Sequence, residues 1–234
     1  MRGILFDKDG TLLDFEATWT PVLKRLALEA AEGNAVAAAA LLDAGGFDPA
    51  TGKFRAGSVI GAGTTRTIVA LWYPQLSGAE LAERVAAMDR AFLEHGAHHS
   101  VALEGAAVAL DLLAEERYVM GVATNDTTAA ARAALAATGM LRHLPHIIGY
   151  DAVPRAKPAP DMVHAFAAAS GIPTDEITVV GDNAHDLKMA RSAGAGLVVG
   201  VTSGNSAAAD LEPLADAVLP SVRELPAFLH QNRK

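Results

Sequence analysis

The sequence predicts an α/β protein, a Rossmann-like parallel sheet with helices on both faces, carrying a mainly helical cap inserted after the first strand. Three observations carry this reading. From about residue 100 onward, helical and strand-like segments alternate, as they do in a parallel sheet whose crossovers are helices. A lone apolar run, Ile4-Leu5-Phe6, stands near the start and needs partners, and parallel strands of that kind recur only after residue 117. Between the two lies a stretch rich in alanine and leucine at helical spacing. Residues 1–14 and 98–234 are therefore expected to form one catalytic core domain, and residues 15–97 a helical cap domain.

The elements follow in order. A strand is expected over 3–6, then helices over 19–31 and 35–44, where apolar residues recur at helical spacing and Gly45-Gly46 stops the second. Phe47 to Phe54 has turn chemistry and reads as a short hairpin. A helix is expected over 64–72, and Ser77-Gly78-Ala79-Glu80 has the form of a capping box opening a helix towards His95. The core pattern then predicts helices over 105–116, 127–138, 160–170, 184–193 and 222–229. Strands are predicted over 118–123, 146–148, 177–180, 197–201 and 217–219. Trp19 and Trp72, at helical positions, are expected to pack the cap.

Composition narrows the function. The 234 residues, half of them apolar, suffice for one large domain or a core with a smaller companion. The net charge of −8, with no run of lysine and arginine, argues against nucleic acid or an anionic membrane surface as partner. The absence of cysteine excludes disulfides, thiolate catalysis and thiolate-bound metals. No stretch approaches the roughly 18 apolar residues of a membrane span, and Asp7 interrupts the first apolar run, so a cytoplasmic protein is expected. Monomer and homodimer are not distinguished.

In open parallel sheets ligands bind beyond the carboxyl ends of the strands. Asp7-Lys8-Asp9-Gly10-Thr11 stands at such an end. Like charges held close are costly unless a cation or a shared proton relieves them. Gly10 permits a tight turn and Thr11 adds a hydroxyl, although a plain turn would use the same residues. After the strand at 177–180, Asp182 and Asp186 lie four apart and face one way on the following helix. Compensation of the helix dipole accounts for one acid. Two acids beside a second acidic strand end point to a divalent cation, and oxygen ligands without histidine or cysteine favour Mg²⁺. Thr124-Asn125 can donate to phosphate oxygens or cap the next helix. Lys157, in a proline-stiffened loop, reads as a phosphate-binding point charge or as a solvated lysine.

In this order, spacing and strand context the segments resemble the haloacid dehalogenase superfamily, specifically its phosphatases with a helical, C1-type cap, and most closely the phosphoglycolate-phosphatase-like enzymes. Asp7-x-Asp9-Gly10-Thr11 matches the first motif, Thr124-Asn125 the second, Lys157-Pro158-x-Pro160 the third and Gly181-Asp182-x-x-x-Asp186 the fourth. The resemblance covers nearly the whole chain. It implies Asp7 as nucleophile, forming an aspartyl-phosphate, and Asp9 as general acid and then base. It implies Mg²⁺ held by Asp7, the Asp9 backbone carbonyl and Asp182, with Asp186 acting through water or orienting its neighbours. Thr124, Asn125 and the Gly10-Thr11 turn would cradle the phosphoryl oxygens, and Lys157 would offset their charge and that of Asp7.

Elementary chemistry agrees. A carboxylate cannot approach a phosphate dianion without cations between them, and a residue two positions along an extended segment lies on the same side as the first. Dehalogenases lack the second acid because a halide leaves without a proton, so Asp9 favours phosphate esters. The implied function is Mg²⁺-dependent hydrolysis of a small phosphorylated metabolite, possible alternatives being a sugar phosphomutase of the same fold and a non-catalytic phosphate-binding regulator.

Two residues depart from the pattern. Lys8 stands where the family has a hydrophobic residue, and Asp126 places a charge beside a phosphate site. They are expected to pair across neighbouring loops; facing solvent is the alternative. Among cap residues, Lys53, Arg55 and Arg66 are candidates to meet a carboxylate on the substrate. His95, His98 and His99 are expected at the surface, and His185 is given no role.

Overall fold

Gly3–Phe6 form β1, buried along its whole length, in a computed structural model that describes residues 2–232. The chain leaves β1 through Asp14, whose carboxylate accepts from Ala17 N and opens α1 (Phe15–Ala30). That cap starts the helix earlier than the apolar spacing alone predicts. Asn34 caps α2 (Ala35–Ala44), and the expected hairpin is the antiparallel pair β2 (Phe47–Asp48) and β3 (Lys53–Phe54). A one-turn helix not expected from the sequence, α3 (Val59–Ala62), precedes α4 (Thr65–Trp72). The next, α5 (Gly78–His99), runs unbroken past residue 97 and carries His95, His98 and His99. Ser77 is its N-cap by position, but the expected capping hydrogen bond is absent. Gly78 follows at φ 51°, which turns the entry away from the geometry in which a cap hydroxyl meets the helix amides.

The alternating region is α6 (Ala106–Glu115), β4 (Val119–Ala123), α7 (Thr128–Ala137), β5 (His146–Ile148), α8 (Asp161–Ser170), β6 (Ile177–Gly181) and α9 (Ala184–Ala193). It continues through β7 (Leu197–Val201), α10 (Ala208–Leu211), β8 (Ala217–Leu219) and α11 (Leu225–Gln231). The expected helix at 222–229 is divided: Val222–Glu224 form a 3₁₀ turn, and α11 begins after it. The six core strands are parallel, in the order β5-β4-β1-β6-β7-β8.

Successive side chains of a strand point to opposite faces. Ile4 and Phe6 accordingly join Met120, Val122 and Val180 beneath α6, α7 and α11, while Leu5 and Val179 face α8 and α9. A third cluster, from Trp19 to Phe92, holds the inserted segment together, and α5 packs along α7. At the sheet's carboxyl edge, Phe6 is in register with Val122 and Val180. The connections leave β1 in opposite directions, so the chain segments after β4, β1 and β6 emerge side by side at a topological switch point. Among the described residues no helix is long and apolar enough to cross a membrane.

Candidate active site

Asp7 N donates to Val180 O (2.7 Å), extending the strand ladder and placing the Asp7 side chain at the mouth of the switch point. Lys157 Nζ lies 2.5 Å from Asp7 Oδ1 and 2.6 Å from Asp186 Oδ1. The other Asp186 oxygen accepts from Asn183 N (3.0 Å), completing the capping box of α9. Asp186 is thus committed at both oxygens, to its own helix and to Lys157. Asp182 Oδ2 accepts from Asn205 N (3.2 Å). Carboxylate oxygens of Asp7, Asp182 and Asp186 lie within 4.8 Å of one another.

Two glycines make room for this cluster. Gly10, at φ 83°, would carry a Cβ 2.6 Å from Asp182 Cγ, and a Cβ on Gly204 would collide with the same carboxylate. Ser203 Oγ donates to Gly10 O (2.7 Å), tying the two loops together. The 203–205 loop was missed in the sequence; its Ser-Gly-Asn composition signals a turn and nothing more.

The electrostatics are those of a site short of positive charge. Burial pushes the Asp7 carboxyl up to about 7, with Lys157 opposing and Asp186 and Asp9 adding to the rise. Burial also raises Asp182 well above the carboxylate range, and the charges of Asp7 and Asp186 raise it further. Lys157 is pulled down by burial, but Asp186 and Asp7 outweigh this and hold it above the usual lysine range. Three acids sharing one ammonium, all donors being oxygen, suit a hard divalent cation.

Asp9, two residues on, is gripped from both sides. Trp19 Nε1 donates to its Oδ1 (2.9 Å), and Lys8 Nζ lies 2.5 Å from its Oδ2. Lys8, fully buried, also lies 3.0 Å from Asp126 Oδ2. The expected Lys8–Asp126 pair is present, and the solvent-facing alternative is overturned. Burial alone would lower Lys8, but Asp126 and Asp9 hold it above the usual lysine range. Burial raises Asp126, against the pull of Lys8. Trp19, expected only to pack, does so edge-on to Phe92, 5.2 Å between centroids, and also spends its N–H on Asp9. A buried indole N–H needs such a partner, which helical spacing does not reveal.

Asp7, Asp9, Thr124, Asn125, Lys157, Asp182 and Asp186 line one cavity. Gly10 and Thr11 lie outside its lining. The Gly10 N–H is spent on Leu13 O (2.7 Å), and the Thr11 hydroxyl is buried without a hydrogen-bond partner. Asn125 accepts from Lys157 N (3.2 Å) and donates to Ala62 O (2.8 Å), so its amide joins the lysine loop to the end of α3. Thr124 Oγ1 accepts from Asp126 N (3.1 Å). His185 lines the cavity, with Nδ1 3.4 Å from Ala62 O. Lys53, Arg55 and Arg66 do not line it: all three are exposed, and Arg55 donates to Asp43 O (2.8 Å). His95, His98 and His99 belong to no metal-ligating group among the described residues.

A family model described as haloacid dehalogenase-like hydrolase matches residues 1–194. The chain belongs to the haloacid dehalogenase-like hydrolases. The phosphoglycolate phosphatase of Rhodospirillum rubrum is 28% identical to this hydrolase over 202 residues, covering 85% of this chain and 78% of that one. The phosphoglycolate phosphatase of Xylella fastidiosa is 30% identical over 194 residues, covering 82% and 77%. The crystal structure of a hydrolase from Pseudomonas syringae, 25% identical, superposes with a TM-score of 0.73 over the whole of both chains. In this hydrolase the second acid, Asp9, is held by Lys8 at one oxygen and by Trp19 at the other.

Proposed function

We propose that this hydrolase is a Mg²⁺-dependent phosphatase of small phosphate monoesters, acting through an aspartyl-phosphate on Asp7. The observation that carries this reading is the pair Asp7 and Asp9 at the end of β1, with the Lys157 ammonium and the Asp182 carboxylate beside Asp7. An Asp7 oxygen attacks phosphorus, forming a P–O bond as the ester P–O bond breaks, and the Asp9 carboxyl gives its proton to the departing alkoxide. Asp9, now a carboxylate, takes a proton from the water that attacks the acyl phosphate, releasing inorganic phosphate and the Asp7 carboxylate. Lys157 bridges Asp7 and Asp186 and offsets the charge of nucleophile and phosphoryl group. A Mg²⁺ held by Asp7, the Asp9 carbonyl and Asp182, with Asp186 orienting Lys157, would supply the positive charge that lets an anionic nucleophile meet an anionic ester. Thr124 and Asn125 border the phosphoryl position, and residues 15–97 act as a cap that excludes bulk water.

The test is phosphate release from 4-nitrophenyl phosphate with Mg²⁺. Asp7→Asn is expected to lower turnover on the order of 10⁴-fold or more while circular dichroism stays unchanged. Unchanged turnover removes Asp7 as nucleophile. An isomerised sugar phosphate without free phosphate would select the mutase, and tight ester binding without turnover the regulator.

A further inference from the structure

The cavity is divided by chemistry. Its core half carries the acids and Lys157, and its other half is walled by Phe15, Trp19, Leu23, Ile60, Ile68 and Phe92. The polar groups the inserted segment adds are neutral, namely Thr65 and the Gly61–Gly63 backbone. None of the seven lysines and arginines in residues 15–97 lines the cavity. Arg25 pairs with Glu29 and Arg55 with Asp43, while Lys24 and Arg84 lie over the Phe47 and Tyr73 rings. The other three are exposed. On the core side the two buried lysines beside the cavity are already paired: Lys8 is held between Asp9 and Asp126, and Lys157 between Asp7 and Asp186.

We infer that the substrate is the phosphate monoester of an uncharged alcohol with an apolar body, branched alkyl or aryl, and not an ester bearing a carboxylate. This rests on the phosphatase reading above and adds the leaving-group class to it. With phosphorus at Asp7 and the ester oxygen at Asp9, the alcohol extends from Asp9 along Trp19, the residue that binds Asp9, onto the apolar wall. A carboxylate there would lie in a desolvated space with no cation to meet it and with Asp9 and Asp126 close by. An apolar body instead removes both its own surface and the wall from water. His185 is the one further cavity residue able to carry positive charge, and it is on the core side with Nδ1 against Ala62 O.

The experiment compares kcat/KM for 3-methylbutyl phosphate and phosphoglycolate with Mg²⁺. A simple alkoxide is no better a leaving group than the glycolate oxygen, so a preference for the alkyl ester reports the pocket. The alkyl ester is expected to be favoured by about tenfold or more. Phe15→Arg, at a half-buried position on the cavity wall, is expected to move the ratio towards phosphoglycolate by a similar factor. Equal rates, or a preference for phosphoglycolate in the unaltered protein, overturn the inference and leave the phosphatase reading standing. No phosphate from either ester or from 4-nitrophenyl phosphate overturns both.

Discussion

In the proposed mechanism Asp9 gives a proton to one oxygen and takes one from another, so its orientation matters as much as its charge. Lys8 and Trp19 each hold one of its oxygens, and Lys8 also neutralises the buried Asp126. Removing one partner of a buried ion pair leaves an uncompensated charge, costing about 3–5 kcal/mol. Lys8→Met is therefore expected to lower stability by about 3 kcal/mol and kcat/KM by roughly 10- to 100-fold. The double variant Lys8→Met/Asp126→Leu should regain stability, as apolar replacements of buried pairs do, without regaining rate. Recovery of rate in the double variant would show that Lys8 only balances Asp126. The Lys8–Asp126 pair was legible in the sequence because both residues break the family pattern at adjacent strand ends. The Trp19 contact was not, because apolar helical spacing already accounts for a tryptophan at that position.

At the scale of elements, the strands were legible where burial is complete. Gly3–Phe6 and Ile177–Gly181 are apolar runs because both faces of the sheet are covered. What escaped was too short to have a period: α3, which delivers Ala62 to Asn125, and the 203–205 loop, which shapes the Asp182 pocket. Gly204 carries a prediction there. Its Cβ position is occupied by the Asp182 carboxylate, so Gly204→Ala should displace that carboxylate. Half-saturation of activity by Mg²⁺ is expected to need about 10- to 100-fold more metal, with little change in thermal midpoint. An unchanged Mg²⁺ dependence would remove Asp182 from the metal site.

The edge strands offer a separate case. Asp216 accepts from Val198 N (2.8 Å) and is held by Arg191 (2.7 Å), joining α9, β7 and the entry to β8. Slight burial opposes, but the Arg191 and Val198 hydrogen bonds hold Asp216 below its ordinary 3.8. A carboxyl depressed on folding adds stability above its unfolded value and loses it as pH falls through the folded one. Asp216→Asn should thus lower the thermal midpoint at pH 7, and the difference should close below pH 3.8. A gap that persists at pH 2–3 would mean that packing, not charge, carries the effect.

Across the whole molecule, a chain of net charge −8 gathers three acids, two of them buried and Asp7 half-buried, around one ammonium at the carboxyl edge of its sheet. Burial holds Asp7 up to about 7 and raises Asp182 with it, so the folded state keeps protons that the unfolded chain releases near 3.8. Where the folded state binds more protons, stability falls as pH rises. In metal-free buffer the thermal midpoint should therefore fall between pH 5 and pH 8, beyond whatever the surface carboxylates contribute. On the proposed reading a divalent cation binds the ionised cluster and not the unfolded chain, so Mg²⁺ should restore the loss. At 100 times its dissociation constant a ligand adds about 2.7 kcal/mol, several degrees for a chain of this length. The shift should be largest at pH 8, shrink towards pH 5 where protons compete for the same oxygens, and vanish on adding EDTA. Asp182→Asn removes one buried charge, so it should raise the metal-free midpoint at pH 8 and abolish the Mg²⁺ shift. A Mg²⁺ shift that is equal at pH 5 and pH 8, or that survives in Asp182→Asn, would place the cation elsewhere on the molecule and leave the acidic cluster without its counterion.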